Sequence, residues 1–403
     1  MFDICYMIGE NMEKKIPYGK QTILEEDIEA VTNVLKSDFI TQGPEIPKFE
    51  KTLADYHGIK YGTAFSSGTA ALHASYDALD VEKGDEIITS PITFAATVNA
   101  ALYCGAKPVF VDIDPNTNCI DISKIEDKIT KRTKVIVPVS LAGYPVEIKK
   151  ICKLADKYDL KVLYDSAHAI CSRRDGEYCA KGADITELSF HPVKHITCGE
   201  GGMSLTNSEK YDQKLKMFRS HGITKNEKLM NGNDGPWYYE MQFLGYNYRM
   251  TDIQAALGRS QFSRINCNII SRNRAARIYD DAFSGYDWMF TPPNVGFDIL
   301  DTHDIKTTDN LHSYHLYTLQ IKDSSKRRMF YDYLHERGIM VQVHYIPVHL
   351  LPYYRNQYGF KPGDYPLSES YYKCELSLPM YHNISDDEIN YVIDAVKKFG
   401  KKL

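Results

Sequence analysis

Between residues 61 and 206 the chain alternates short apolar runs with stretches whose apolar residues recur at helical spacing. The runs at 62–66, 86–89, 108–112, 134–139, 161–164, 185–190 and 202–206 have strand length and continuous apolar character, the pattern of strands buried on both faces. Helical spacing marks 69–79, 94–104, 122–129, 146–157 and 209–220. Strand–helix alternation predicts the α/β class: a mostly parallel seven-stranded sheet with helices on both faces. Only residues 191–201 join the last two runs, too short for a parallel crossover, so one of those two strands is predicted antiparallel.

Two amphipathic helices are predicted ahead of the sheet, at 25–35 and 46–56, around a Gly-Pro loop at 39–44. After it, 222–246 is a polar excursion rich in Gly, Asn and aromatics, long enough to suggest a functional segment. Helices follow from 251 and from 265. Strands near 314–321 and 340–343 and helices near 326–337 and 386–398 then predict a smaller α+β domain. The expected organisation is a mobile N-terminal extension (1–15), a large domain (16–264) and a small C-terminal domain (265–403).

Composition narrows the classes. With 43% hydrophobic and 25% charged residues, the 403-residue chain is an ordinary globular sequence, and a net charge of −5 gives no reason to expect a nucleic-acid partner. The nine cysteines are odd in number and contain no Cys-x-x-Cys pair, so neither a disulfide framework nor a metal site is expected, and a reducing cytoplasm fits best. No apolar run approaches the roughly 18 residues of a membrane span, and the start has no apolar core of a secretory signal.

The chemistry centres on Ser189-Phe190-His191-Pro192-Val193-Lys194-His195-Ile196-Thr197-Cys198-Gly199-Glu200-Gly201-Gly202. A lysine held between two apolar strands, partly desolvated, can form an imine with an aldehyde. Asp165 ends the run at 161–164, where a carboxylate can hold a proton on a pyridine nitrogen. Ser67-Gly68-Thr69-Ala70 opens a helix after a strand, where backbone N–H groups can cradle a phosphate. Singly, each has an ordinary reading: Asp165 as a strand-end turn residue, Ser67 as a plain N-cap, Phe94 as core. Together they meet the needs of pyridoxal 5′-phosphate (PLP), with Phe94 available to stack on its ring and His168 to contact the ring hydroxyl. Neither Gly-x-Gly-x-x-Gly nor a Walker pattern is present, which argues against a nicotinamide sugar enzyme.

The motifs also come in a telling order: Ser67-Gly68-Thr69-Ala70-Ala71-Leu72, then Thr93-Phe94-Ala95-Ala96-Thr97, Asp165-Ser166-Ala167-His168-Ala169, the Lys194 stretch, and Gly245-Tyr246-Asn247-Tyr248-Arg249-Met250-Thr251-Asp252-Ile253-Gln254-Ala255-Ala256-Leu257-Gly258. This resembles the DegT/DnrJ/EryC1/StrS family of sugar-nucleotide aminotransferases over nearly the whole chain. The resemblance implies the PLP-dependent transferase fold type I, like aspartate aminotransferase. It makes Lys194 the lysine that carries the cofactor and shuttles protons, and Asp165 the pyridinium partner. His168 would lie beside the ring hydroxyl, Phe94 would stack, and Gly68, Thr69, Ala70 and Ser189 would contact the phosphate. Asn247 would reach the phosphate from a neighbouring subunit, which implies a homodimer with shared sites.

Where many relatives carry His-Leu-Tyr-Gly, this chain has Val139-Ser140-Leu141-Ala142-Gly143, a form similar to the branch that makes the 4-amino-sugar precursor of pseudaminic acid. The tracts Gly235–Met241 and Val341–Pro347 are similar to that branch too. By that analogy Tyr18, Thr41, Gln42, Gly43, Gly68, Ser189, Asn247, Arg249, His344 and Tyr345 line a nucleotide-sugar pocket. The implied substrates are a UDP-linked 4-keto-6-deoxy-N-acetylhexosamine and glutamate. The sibling readings are a 4-aminotransferase for bacillosamine or legionaminic acid, and an idle relative that binds PLP or nucleotide sugar as a regulator.

Overall fold

In the computed structural model, which describes residues 15–295 and 305–403, all seven apolar runs form strands of one sheet. They are β1 (Tyr61–Phe65), β2 (Glu86–Thr89), β3 (Lys107–Phe110), β4 (Thr133–Val137), β5 (Lys161–Asp165), β6 (Ile185–Ser189) and β7 (Gly202–Thr206). Their spatial order is β1-β7-β6-β5-β4-β2-β3. β7 runs antiparallel to β1 and to β6, as the short 191–201 connection requires, and every other pairing is parallel. Apart from Lys15, the N-terminal extension expected at 1–15 lies outside the described residues.

The helices that cover this sheet are α1 (Glu25–Leu35), α2 (Glu45–His57), α3 (Gly68–Ala78), α4 (Ala95–Tyr103), α5 (Ile148–Lys157), α6 (Glu209–Phe218) and α7 (Asp252–Phe262). Strand side chains alternate between faces. Ile87, Val135, Val137, Leu163 and Ile185 meet α3, α4 and α6. Ile88, Ile136, Val162 and Tyr164 pack with α5, and Ala64, Leu188, Met203 and Leu205 pack with α2 and α7. Residues with the parity of Leu163 and Ile185 therefore face α3 and α4, and Asp165, Glu187 and Ser189 have that parity.

α3 starts where it does because Ser67, in extended conformation, accepts the Ala70 N–H on its hydroxyl (3.1 Å), a cap worth about 1 kcal/mol. The start of β7 passes directly beneath: a Cβ at Gly202 would stand 2.5 Å from the Ser67 carbonyl oxygen and 2.7 Å from the Gly68 backbone. Only glycine allows that approach. β1 is parallel to β6 through the shared antiparallel β7, so the carboxyl ends of β1, β5 and β6 open on one side. Ligands collect at such ends.

Helix α8 (Ile265–Phe283) runs between two hydrophobic cores. Its first turns pack in the large core through Ile265 and Ile269, and its second half packs in a separate C-terminal core through Ala276, Tyr279 and Phe283. That core lies against a three-stranded antiparallel sheet of β8 (Met289–Phe290), β9 (Tyr317–Ile321) and β10 (Glu375–Leu378), with α9 (Arg327–His335) and α12 (Asp386–Gly400). Ile16–Pro17 pairs in parallel with Ile339–Met340, so the chain begins its described course in the small core.

Three local expectations change. The segment at 122–129 is two 3₁₀ turns, Ile122–Lys124 and Glu126–Lys128, not an α-helix. Asp121 ties the Ser123 N–H and hydroxyl, and Ile125 alone is buried between the turns. So short a piece gains too little to propagate. The strand expected at 340–343 shrinks to Ile339–Met340, with Gln342 bridging to Ser377. Helices α10 (Pro352–Tyr358) and α11 (Pro366–Cys374) and strand β10 occupy a stretch with no expected element.

Candidate active site

A cavity of about 400 Å³ opens at the carboxyl ends of β1, β5 and β6. Tyr18, Gly68, Thr69, Phe94, Asp165, His168, Ser189, Lys194, His344 and Tyr345 line it, ten of the residues singled out from the sequence. Ala70 does not line it, and its N–H is taken by Ser67. Thr41, Gln42, Gly43, Asn247 and Arg249 are also absent from the wall. They form a second group nearby: Thr41 bridges to Thr251, Gly43 N–H donates to the Asp252 carboxylate (2.7 Å), and Arg249 bridges to Phe65 at the end of β1. Asn247 is exposed.

Asp165 is 4% exposed at the end of β5. Its Oδ2 accepts the Thr97 hydroxyl from α4 (2.7 Å), and its Oδ1 accepts the Ala167 N–H (3.1 Å). Burial raises its pKa, opposed by those two hydrogen bonds and by Lys194. Lys194 follows β6 in a turn closed by its own N–H on the His191 carbonyl (2.9 Å). Part of its side chain opens on the cavity and protein encloses the rest. Burial brings its amine from 10.5 to about 8, with Asp165 and Glu187 pulling upward and Arg272 adding to the lowering.

His168 accepts the Ala142 N–H on Nδ1 (3.3 Å) and meets the Tyr345 hydroxyl at Nε2 (3.1 Å). The first contact fixes the tautomer, so Nε2–H donates to the tyrosine oxygen. Burial holds this imidazole well below the usual range, and Lys194 adds to the effect. His344 Nδ1 lies 2.8 Å from the Ser377 hydroxyl, which itself donates to the buried Glu375 carboxyl (2.5 Å). Phe94 is 62% exposed, its ring forming one side of the opening 5.9 Å from the Tyr345 ring.

The residues present fit PLP. The first N–H groups of α3, on Gly68 and Thr69, precede any carbonyl of their own helix and face a cavity that also takes the Ser189 hydroxyl, a donor set suited to phosphate. Asp165 and Lys194 supply the carboxylate and the amine within the same wall. Sequence reasoning missed Glu187, His315 and Thr97. Glu187 had a visible signal, a lone acid inside the apolar strand Ile185–Ser189. His315, whose ring lies 4.2 Å from that of His168, comes from a loop of the small domain and carried no local signal.

Comparison with known proteins agrees with this geometry. The model of the DegT/DnrJ/EryC1/StrS aminotransferase family matches residues 21–397. The chain is 38% identical to the spore coat polysaccharide biosynthesis protein SpsC of Bacillus subtilis, over 96% of this chain and 97% of that one. It is 35% identical to the UDP-4-amino-4,6-dideoxy-N-acetyl-beta-L-altrosamine transaminase of Campylobacter jejuni, over 96% and 98%. The solved structure of Helicobacter pylori PseC, an aminotransferase of pseudaminic acid biosynthesis, superposes with a TM-score of 0.87 at 32% identity, covering 97% of this chain and all of that one. The sugar aminotransferase Spr1654 of Streptococcus pneumoniae, solved in its PLP form, superposes at 0.86 with 30% identity, covering 96% and 99%. The fold is therefore that of fold type I and the cofactor is PLP. On its sequence and its structure alike, the chain belongs to the DegT/DnrJ/EryC1/StrS aminotransferase family.

Proposed function

We propose that this sugar aminotransferase acts on a UDP-linked 4-keto-6-deoxy-N-acetylhexosamine, with glutamate as amino donor, on the route to pseudaminic acid. The observation that carries the reading is a single cavity holding a lysine of lowered basicity, a buried carboxylate and an open helix N-terminus. When bound, PLP supplies an electron sink for the bonds at the amino carbon. Lys194, whose lowered basicity leaves about one molecule in eleven as the neutral amine at pH 7, would hold the cofactor through its amine, the aldehyde oxygen leaving as water, and would serve as the base that moves a proton at the donor carbon. Asp165 would keep the ring nitrogen protonated, Gly68, Thr69 and Ser189 would hold the phosphate, and Phe94 would cover a ring face.

Similarity to the altrosamine transaminase and to PseC supports the 4-amino sugar, with Tyr18, His344 and Tyr345 on the sugar side of the cavity. A homodimer completes the site in this reading. Asn247, Arg249 and residues 41–43 lie outside the cavity of their own chain, beside exposed apolar side chains at Phe39, Ile40, Met241 and Leu244 that a partner would cover. The test is to incubate the loaded enzyme with glutamate and, separately, each 4-keto epimer of the UDP sugar, and to identify products by NMR. The expected product is the 4-amino-L-altro sugar. Amination of only the D-epimer would place the chain in the bacillosamine branch, and an unchanged cofactor band on adding glutamate would reject the donor.

A further inference from the structure

Glu187 sits on β6 directly across the parallel register from Asp165 on β5. The two side chains point to the same face of the sheet, toward α3 and α4. Ser204 of β7 flanks Glu187 on its other side, and its hydroxyl is bonded to Ser75 and to the Ala71 carbonyl. Gly68 lies overhead: a Cβ there would stand 2.7 Å from Glu187 Oε1. The residue is fully buried, lines the cavity wall, and among the described residues no donor reaches either oxygen. Burying two orphaned carboxylate oxygens beside a second carboxylate is costly.

One proton removes the difficulty. Two ionised carboxylates can only accept, whereas an acid beside a carboxylate gives one donor and one acceptor. We propose that Glu187 is a positioning residue for the ring-nitrogen site: held as the neutral acid, it donates its O–H to the Asp165 carboxylate across the β5–β6 register. Burial and the neighbouring Asp165 both raise its pKa well above the ordinary range, while Lys194 opposes them. The charged and titratable groups around the acid are Asp165 on β5, Lys194 beyond β6 and Tyr76 on α3.

The consequence reaches the cofactor. Asp165 then accepts three hydrogen bonds, from Thr97, Ala167 and Glu187, and each spreads its charge and lowers its basicity. A less basic carboxylate leaves the shared proton on the ring nitrogen. The neutral form of Glu187 also keeps a second negative charge away from the phosphate held by Gly68 and Ser189. The inference rests on the reading of Asp165 as ring-nitrogen partner, and two measurements separate them.

The first uses the unloaded protein. Infrared difference spectra of wild type and Glu187→Gln between pH 6 and 8 should show a protonated-carboxyl C=O band that the variant lacks. No difference in the protonated-carboxyl region, with a carboxylate band lost in the variant instead, would mean that Glu187 is ionised and would overturn the proposal whatever Asp165 does. The second uses protein loaded with ring-¹⁵N PLP. Glu187→Gln, which still donates a hydrogen bond, should keep the wild-type nitrogen shift, and Glu187→Ala should move it toward the unprotonated value. An Ala variant with the wild-type shift would remove Glu187 from the ring-nitrogen site. If Asp165→Asn also left the shift unchanged, it is the Asp165 reading that would fall.

Discussion

Attachment of PLP to Lys194 should follow the fraction of neutral amine, which makes its pH dependence a direct reading of the buried site. With the amine at about 8, roughly one molecule in eleven is reactive at pH 7. An ordinary lysine at 10.5 would offer about one in three thousand, so burial gives about 300-fold more free amine. The attachment rate should rise about tenfold from pH 6 to 7, bend near pH 8, and level off above it. Asp165→Asn removes an upward pull on the amine, so the bend should move below pH 8. Stopped-flow absorbance after mixing unloaded protein with PLP gives the rate, and dividing by the rate for N-acetyl-lysine amide cancels the cofactor's own ionisations. Below pH 8 this ratio should be constant and above it should fall about tenfold per pH unit, and a ratio still flat from pH 8 to 10 would show an ordinary amine and refute the burial argument. A bend that moves upward in Asp165→Asn would refute the coupling.

Borohydride treatment of the loaded enzyme and peptide mapping should place the pyridoxyl group on Lys194, and Lys194→Ala should still bind PLP through the remaining contacts but not turn over; a label elsewhere sinks the assignment. Mixing Lys194→Ala with Asn247→Ala, then dissociating and reassociating the subunits, should restore activity in about half of the heterodimer sites if Asn247 acts across a C₂ interface. No recovery beyond the parents would return Asn247 to its own chain. Glu375, fully buried, is raised from 4.5 to about 8, so the folded state binds its proton more tightly than the unfolded chain. Its stabilisation is complete below pH 4.5 and is lost as pH rises toward 8, by up to about 1.4 kcal/mol per pH unit. Glu375→Gln lacks this loss, so its stability relative to wild type should improve from pH 5 to 8 in urea titrations; a constant difference would mean an ordinary carboxylate.

The central sheet was legible because its strands are buried on both faces and so read as short, largely apolar runs between helical stretches. That one of the last two strands is antiparallel followed from connection length alone, and the structure shows it to be β7. Helices α10 and α11 were missed although Pro352 and Pro366 stand in their first turns and Gly359 caps α10 with a positive φ of 77°. Their apolar residues are mostly tyrosines, with the single leucine Leu367, and the period is lost in so polar a stretch. Lys194, Asp165 and Ser67 were readable because each sits at a strand end, where order along the chain maps onto position in space. His315 and Thr97 were not, because nothing local marks a side chain that meets the site only through packing of α4 or of the small domain. Residues 41–43 and 247–249 mark the opposite limit. Their motif is legible, but one chain does not bring them into the cavity.

The charge balance of the cavity turns on Arg272. This arginine on α8 is fully buried, and one guanidinium nitrogen donates to the carbonyls of Tyr314 (3.0 Å), His315 (3.2 Å) and Met380 (3.1 Å). Among the described residues its remaining nitrogens have no partner. Burial therefore lowers it to about 9, yet at neutral pH it remains a cation behind the site wall. A buried positive charge disfavours every other one nearby. After burial, it is a further cause of the lowering of His195, His315 and Lys194. His195 and His315 thus stay neutral. Lys194 is left as the base that changes charge near neutral pH. Arg272→Met keeps the length of the chain and removes the charge. It leaves three carbonyls without their donor, which should cost about 1–3 kcal/mol of stability for each that water cannot reach. It should also move the bend in the PLP attachment rate above pH 8, the direction opposite to Asp165→Asn. A bend that stays at pH 8 in a folded Arg272→Met protein would confine the arginine to tying the loop at 314–315 to α8.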